Sequence, residues 1–271
     1  MSISGQNLTI VIVTLKSENI IDECIKSIDQ NIPIIVVENS NNSEFKDKLE
    51  SKYKNLKCVL SKSNLGMGTG NNIGINLSET DYVFIINPDV KLKNNTLNEI
   101  YSASKKLPEF SIISPISTNE NYPNYGNFNK IKKAEINKSP FKVDYVDGFA
   151  MILNKKKFKD GIFDENFFLY LENDDLCLRA NKQGGSIYII PEAKIDHSGA
   201  KTVDEKYRNE VELSRNWHWV WSKFYFNKKH FGLLKAIREN FLTFISAILK
   251  FLFYLIINNN FKKKIYFNRA S

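Results

Sequence analysis

From Leu8 to Thr14 the chain reads LTIVIVT, with almost no polar interruption and a β-branched majority. A strand buried on both faces of a sheet reads this way. Apolar residues next recur at Ile20, Ile21, Cys24, Ile25 and Ile28, and these spacings of three and four predict a helix with one covered face. Pro33 opens a second strand-like run, IIVVENS, at 34–40. A polar, helix-compatible stretch at 43–54 follows, then a short strand KCVLS at 57–61, a glycine-rich turn and helix at 64–78, and a strand YVFIIN at 82–87. Strands alternating with helices over short connections predict a doubly wound α/β sheet.

The alternation loosens beyond about residue 110. SIISPI (111–116) predicts a further strand, and 117–140, rich in Asn, Tyr, Pro and Lys, predicts a long loop or lid. YVDGFAMILN (145–154) returns to strand character. The segment FDENFFLYLENDDLCLRANKQGG (163–185) predicts a loop entering a helix that Gly184 or Gly185 ends, and SIYIIP (186–191) predicts a final strand. After about 205 the character changes. Aromatics and bases interleave in RNWHWVWSKFYFNKKHF (215–231), and FLTFISAILKFLFYLII (241–257) is apolar except for Thr243, Ser246 and Lys250. The expected division is an α/β domain over 1–205 and a helical, aromatic and basic extension over 206–271.

Composition narrows the partners. An excess of eight positive charges and a pI near 9.1 favour anionic ones, phosphorylated substrates or anionic lipid. Lysines occur along the whole chain, which weighs against nucleic acid. Cys24, Cys58 and Cys177 form neither a metal knuckle nor a CxxC pair, and their odd number argues against a disulfide framework. A reducing, cytoplasmic compartment is expected. The opening MSISGQN shows no basic region followed by an apolar stretch, so no secretory signal is expected.

Polar residues gather where the strands end. Thr14 follows the first strand, Glu38 the second, Asn64 the third, and Asn87 and Asp89 the fourth. Ligands of such sheets bind beyond these carboxyl ends. Asn87-Pro88-Asp89 reads as a turn, and a carboxylate at that edge also suits Mg²⁺ or Mn²⁺ on a phosphate. NLGMGTGNNIG (64–74) is neither a P-loop nor a dinucleotide fingerprint. Gly66, Gly68, Gly70 and Gly74 permit close backbone approach or tight packing. In YLENDDLCLR (170–179), Glu172, Asp174 and Asp175 crowd a helix start. They complement the helix dipole, Asp175 can pair with Arg179, and a carboxylate among like charges can also serve as a general base. His197 follows the last strand beside Asp196 and can be structural or ligate a metal.

Six segments together, IVIVTLKSENII, IIVVENSNN, NLGMGTGNNIGI, FIINPDV, FDENFFLYLENDDLCLRA and PEAKIDHSG, resemble the inverting family 2 glycosyltransferases of the GT-A fold. The likeness is nearest to the rhamnosyltransferase-like branch that builds bacterial surface polysaccharides. It covers most of 8–199 in the expected order. The resemblance implies a Rossmann-like, mostly parallel sheet flanked by helices, and a nucleoside-diphosphate sugar donor. Thr14 and Glu38 would contact its base and ribose, while Asn64, Gly66 and Asn72 would shape the pocket. NPD would be this branch's form of the DXD motif, with Asp89 on Mg²⁺ or Mn²⁺, Asn87 assisting and His197 as second ligand. Asp147 would touch the acceptor. Where relatives often carry Glu-Asp, this chain has Glu172-Asn173, so the base is expected to be Glu172, or a shifted Asp174, with Asp175 as orienter or acceptor contact. The implied donor is a deoxythymidine or uridine diphosphate sugar, dTDP-rhamnose by analogy, and the acceptor a glycan or lipid-linked sugar.

Two other classes compete. One is a non-catalytic nucleotide-sugar-binding or scaffold protein at the membrane, a reading that Asn173 keeps open. The other, an oxidoreductase, lacks its dinucleotide fingerprint. For the tail, 17 residues fall short of the ~20 that span a bilayer, and Lys250 lies mid-segment. An interfacial helix on the inner face of the cell membrane is expected, and a homodimer through the C-terminal helices is the alternative.

Overall fold

The computed structural model describes residues 2–107, 109–128, 140–199 and 207–270. Part of the expected loop or lid at 117–140 therefore lies outside the described residues. The elements run β1 (Leu8–Thr14), α1 (Ile21–Lys26), β2 (Ile34–Glu38), α2 (Ser43–Lys52), β3 (Leu56–Leu60), α3 (Gly66–Leu77), β4 (Tyr82–Ile86), β5 (Val90–Leu92), α4 (Thr96–Ser104) and β6 (Phe110–Ser117). They continue as β7 (Tyr125–Gly126), β8 (Phe141–Val143), β9 (Tyr145–Val146), β10 (Ala150–Asn154), α5 (Glu172–Lys182), β11 (Ser186–His197), α6 (Arg208–Phe231), α7 (Leu233–Ile256) and α8 (Asn260–Ala270).

The main sheet has the order β3-β2-β1-β4-β10-β6-β11-β5, with β8 also on β11. β1 to β4 are parallel; β10 runs antiparallel to β4 and β6, and β11 runs parallel to β6. Successive strand residues face opposite ways, and the core divides accordingly. Ile10, Ile12, Val36 and Phe84 pack in one cluster with Ile21, Cys24 and Ile25 of α1. Val11, Val13, Val37 and Ile85 pack in the other with Ile75 of α3 and Leu176 of α5. A sheet covered on both faces explains why its strands read as unbroken apolar runs.

Three elements depart from the sequence reading. The run 145–154 is two strands, β9 on β7 and β10 between β4 and β6, broken at Asp147–Phe149. β11 does not stop at Pro191 but runs to His197. Its register against β6 shifts between Ile190 and Lys194, where Pro191 has no N–H to offer a ladder. The apolar helix is 24 residues long, from Leu233 to Ile256, rather than 17. Its polar first turns, with Lys235, Arg238 and Glu239, had hidden its start.

The chain separates into two compact units. One comprises residues 1–165 and 172–204, the other 166–171 and 205–271. Within the helical unit, α6 grips 166–171. Phe167 is fully buried with its ring 4.9 Å from Tyr225, Phe168 stacks on His218, and the Ser222 hydroxyl donates to the Leu169 carbonyl at 2.7 Å. Tyr170 and Leu171 both hold positive φ, 71° and 63°, a left-handed conformation that costs a non-glycine residue about 1–2 kcal/mol.

Candidate active site

The rim of the sheet is assembled by register. Thr14 and Glu38 are partners at the ends of β1 and β2. The Thr14 hydroxyl donates to Glu38 Oε2 at 2.5 Å, and the Ser40 amide donates to Oε1 at 2.6 Å. Both Thr14 and Glu38 are fully buried, so each is engaged within the rim itself. Asn39, next along, donates to the Gly66 carbonyl at 3.0 Å, while Asn64 Oδ1 accepts from the Gly66 amide at 3.1 Å. Gly66 has φ 80°, which favours glycine. The Asn72 amide clamps another segment: its Nδ2 donates to the Phe163 carbonyl and Glu165 Oε1, and its Oδ1 accepts from the Phe163 amide.

β4 ends at Ile86, and the chain turns through Asn87-Pro88-Asp89 into β5, with the Val90 amide donating to the Asn87 carbonyl at 3.1 Å. β5 pairs antiparallel with the far end of β11, placing Val90 opposite His197. The extension of β11 past Pro191 therefore delivers His197 to this turn. His197 Nε2 lies 3.4 Å from Asp89 Oδ1, and its ring stacks on Phe149 with centroids 3.9 Å apart. Asp89 is only 6% exposed, and both its carboxylate oxygens, with Asn87 Oδ1, are buried without a hydrogen-bond partner among the described residues. Buried polar oxygens normally have partners, and an unpartnered carboxylate is costly. Three such oxygens on one turn, beside an imidazole, suit a cation. No group of three or more His, Cys, Asp or Glu side chains converges among the described residues. A divalent ion here would take two or three protein ligands and complete its shell with phosphate and water, as Mg²⁺ commonly does.

A second set of acids stands at the start of α5. Glu172 is 9% exposed with Oε2 unpartnered, and burial pushes its carboxyl up to about 7. Burial, and then the charge of Asp147, push Asp174 up to about 6. Burial also raises Asp147, while His197 draws it the other way. Asp174 thus feels the charge of Asp147, and Asp147 that of His197, which in turn contacts Asp89. Sequence reading had not linked Asp147 to Asp174; their spacing of 27 residues carries no signal, and only the return of the chain to β9 brings them near. Asn173 donates from Nδ2 to the Val146 carbonyl at 3.1 Å, which an ionised carboxylate could not do. Asp175 is fully buried and pairs with Arg179 Nε at 2.8 Å; Arg179 in turn donates to the Gly161 and Ile162 carbonyls. That pair ties α5 to the preceding loop. Gly184, at φ 76°, ends the helix, its amide donating to Asn181.

The arrangement offers oxygens suited to a cation at the turn and a set of carboxyls of raised proton affinity at the start of α5. Residues 9–162 match the model of glycosyl transferase family 2. A low-salt glycan biosynthesis hexosyltransferase of Haloferax volcanii is 28% identical over 200 residues, 67% of this chain and 64% of that protein. A dTDP-rhamnosyl transferase of Shigella flexneri is 28% identical over 256 residues, 87% of this chain and 85% of its own. In fold, the chain is similar to GalNAc-T7, solved with UDP, GalNAc and Mn²⁺, with a TM-score of 0.53 and 15% identity over 79% of this chain and 50% of that one. The chain thus spans under two thirds of the Haloferax protein and half of GalNAc-T7.

Proposed function

The chain belongs to glycosyl transferase family 2, and from that premise we propose that it moves a sugar from a nucleoside-diphosphate donor to a glycan or lipid-linked acceptor, with inversion at the anomeric carbon. One observation carries the reading. The turn at 87–89 holds three buried oxygens that accept no hydrogen bond among the described residues, one of them 3.4 Å from His197 Nε2, at the edge of the sheet where such folds bind ligands.

Asp89 and His197, with Asn87 assisting, would hold Mg²⁺ or Mn²⁺ against the donor diphosphate. Such an ion neutralises charge on the departing group. Thr14 and Glu38 brace the floor of the nucleotide pocket, and Asn64 and Gly66 set the bend that borders it. Asn72 supports that wall from behind. The acceptor lies on the side of Asp147. Its hydroxyl gives its proton to a carboxylate as the oxygen bonds to the anomeric carbon, and the bond to the diphosphate breaks with its electron pair leaving on the phosphate oxygen. We take Asp174 as that base, since it is partly exposed, raised, and coupled to Asp147. Glu172 is the second reading: it has the greater proton affinity, but little of it can be reached. Asp175, spent on Arg179, orients α5. The Shigella relative makes dTDP-rhamnose the first donor to try. The protein would work at the cytoplasmic membrane surface, where lipid-linked acceptors reside.

Turnover separates an enzyme from a binding or scaffold protein. Release of nucleoside diphosphate is measured across a panel of nucleotide sugars with Mn²⁺, for wild type, Asp174→Asn and Glu172→Gln. Asp174→Asn is expected to lose about 10²–10⁴-fold in kcat with donor KM little changed. A larger loss in Glu172→Gln would move the base to that residue, and wild type with no turnover on any donor would leave the scaffold reading standing.

A further inference from the structure

The helical segment holds a charge imbalance that whole-chain counting hides. Residues 207–270 contain twelve Lys and Arg against three Asp and Glu, an excess of nine where the entire chain has an excess of eight. Lysines occur throughout the sequence, but the net positive charge sits here.

α7 adds an apolar face to that charge. It buries Ala236, Asn240 and Ala247. It exposes Leu234 (85%), Leu242 (77%), Leu249 (62%) and Ile256 (83%), with Ile245 and Leu252 beside them. The first four recur at intervals of eight, seven and seven, a single stripe on a helix. At 24 residues the helix is about 36 Å long, and by length and composition it is apolar enough to cross a membrane. Its neighbours argue against crossing. α8 folds back along α7: Tyr254 stacks on Tyr266 at 5.4 Å, Phe251 meets Phe267 at 5.8 Å, and Lys250 Nζ sits 5.3 Å over Tyr266. A spanning α7 would carry Lys250 and, on the returning α8, Arg269, 5.6 Å over the same Tyr266 ring, into hydrocarbon, where each is costly.

Three occupants could cover the stripe. A second copy would set two strongly basic segments against each other. Nucleic acid would answer the charge and leave the stripe in water. An anionic leaflet answers both, and two weak signals together make a stable anchor. We propose that α7 lies in the plane of an anionic lipid leaflet, its Leu234–Ile256 stripe among the acyl chains and the surrounding lysines and arginines on the headgroup phosphates. This names the surface invoked for the transfer reaction. The test needs no donor, so its failure and a failure of transfer are read separately.

The full chain is floated with vesicles of phosphatidylcholine alone and of phosphatidylcholine with phosphatidylglycerol. Wild type is expected to float with the anionic vesicles about tenfold or more better than with the neutral ones, to lose that preference at high salt, and to be released by alkaline carbonate. The double variant Leu242→Glu with Leu249→Glu, at exposed positions, is expected to remain in the soluble fraction. Replacing Lys262, Lys263 and Lys264 by Gln is expected to reduce the preference for anionic vesicles without altering far-ultraviolet circular dichroism. Equal flotation on both vesicles, undiminished flotation of the double variant, or resistance to carbonate, which marks a spanning helix, would overturn the proposal. So would a wild-type dimer that the double variant splits while still floating.

Discussion

At Glu172 the chain buries a carboxyl that lacks a partner for Oε2. Its raised affinity for a proton, from 4.5 to about 7, has a consequence for stability. Between those values the folded protein keeps a proton that the unfolded chain releases. Stability therefore falls as pH rises through this window, by roughly 3–4 kcal/mol when the shift is converted at about 1.4 kcal/mol per unit. Glu172→Gln stays neutral throughout. Urea unfolding is expected to find the variant close to wild type at pH 5 and more stable at pH 8; a difference that does not change with pH would contradict the burial argument. Asp89 shows what residue identity can and cannot tell. NPD after a strand announced a turn and a carboxylate at the ligand edge. That His197, 108 positions later, would face it depended on β11 outlasting Pro191, which no local propensity suggested. Asn173 marked a departure from relatives, yet its bond to Val146 became visible only in the fold.

Among the elements, the parallel strands and their helices were legible because both faces of the sheet are covered and the apolar runs are unbroken. Antiparallel β9 and β10 were not. A single apolar-looking run spans both, and the break at 147–149 follows from pairing with different neighbours. The glycines of α3 illustrate a partial reading. The sequence allowed either close backbone approach or tight packing; at Gly74 it is tight packing of α3 on β1, since a Cβ there would collide with the Val11 side chain. Gly74→Ala must push α3 off β1 or force Val11 from its rotamer. A loss of about 1–3 kcal/mol is expected from urea unfolding, with donor KM raised because α3 carries the Gly66 bend. An alanine that is neutral or stabilising would show that α3 does not pack as tightly as described.

On the scale of the molecule, the sheet and the helices divide the labour. The sheet, nearly neutral in net charge, carries the rim. The helical segment holds the charge excess and an exposed apolar stripe. Sequence composition flagged the tail but not its extent, because the charged first turns of α7 hid where that helix begins. Nor did it show that 166–171 belongs with α6, since those contacts join residues some 50 positions apart. A divalent ion held by the rim at 87–89 and His197 is the centre of the proposed activity. Calorimetric titration of dTDP and UDP into wild type and Asp89→Asn, each with and without Mn²⁺, tests it most directly. Wild type is expected to bind one of the two nucleotides only with the metal present, and Asp89→Asn to lose about 10²-fold or more of that affinity. Binding that ignores Mn²⁺, or that survives unchanged in Asp89→Asn, would contradict the assignment.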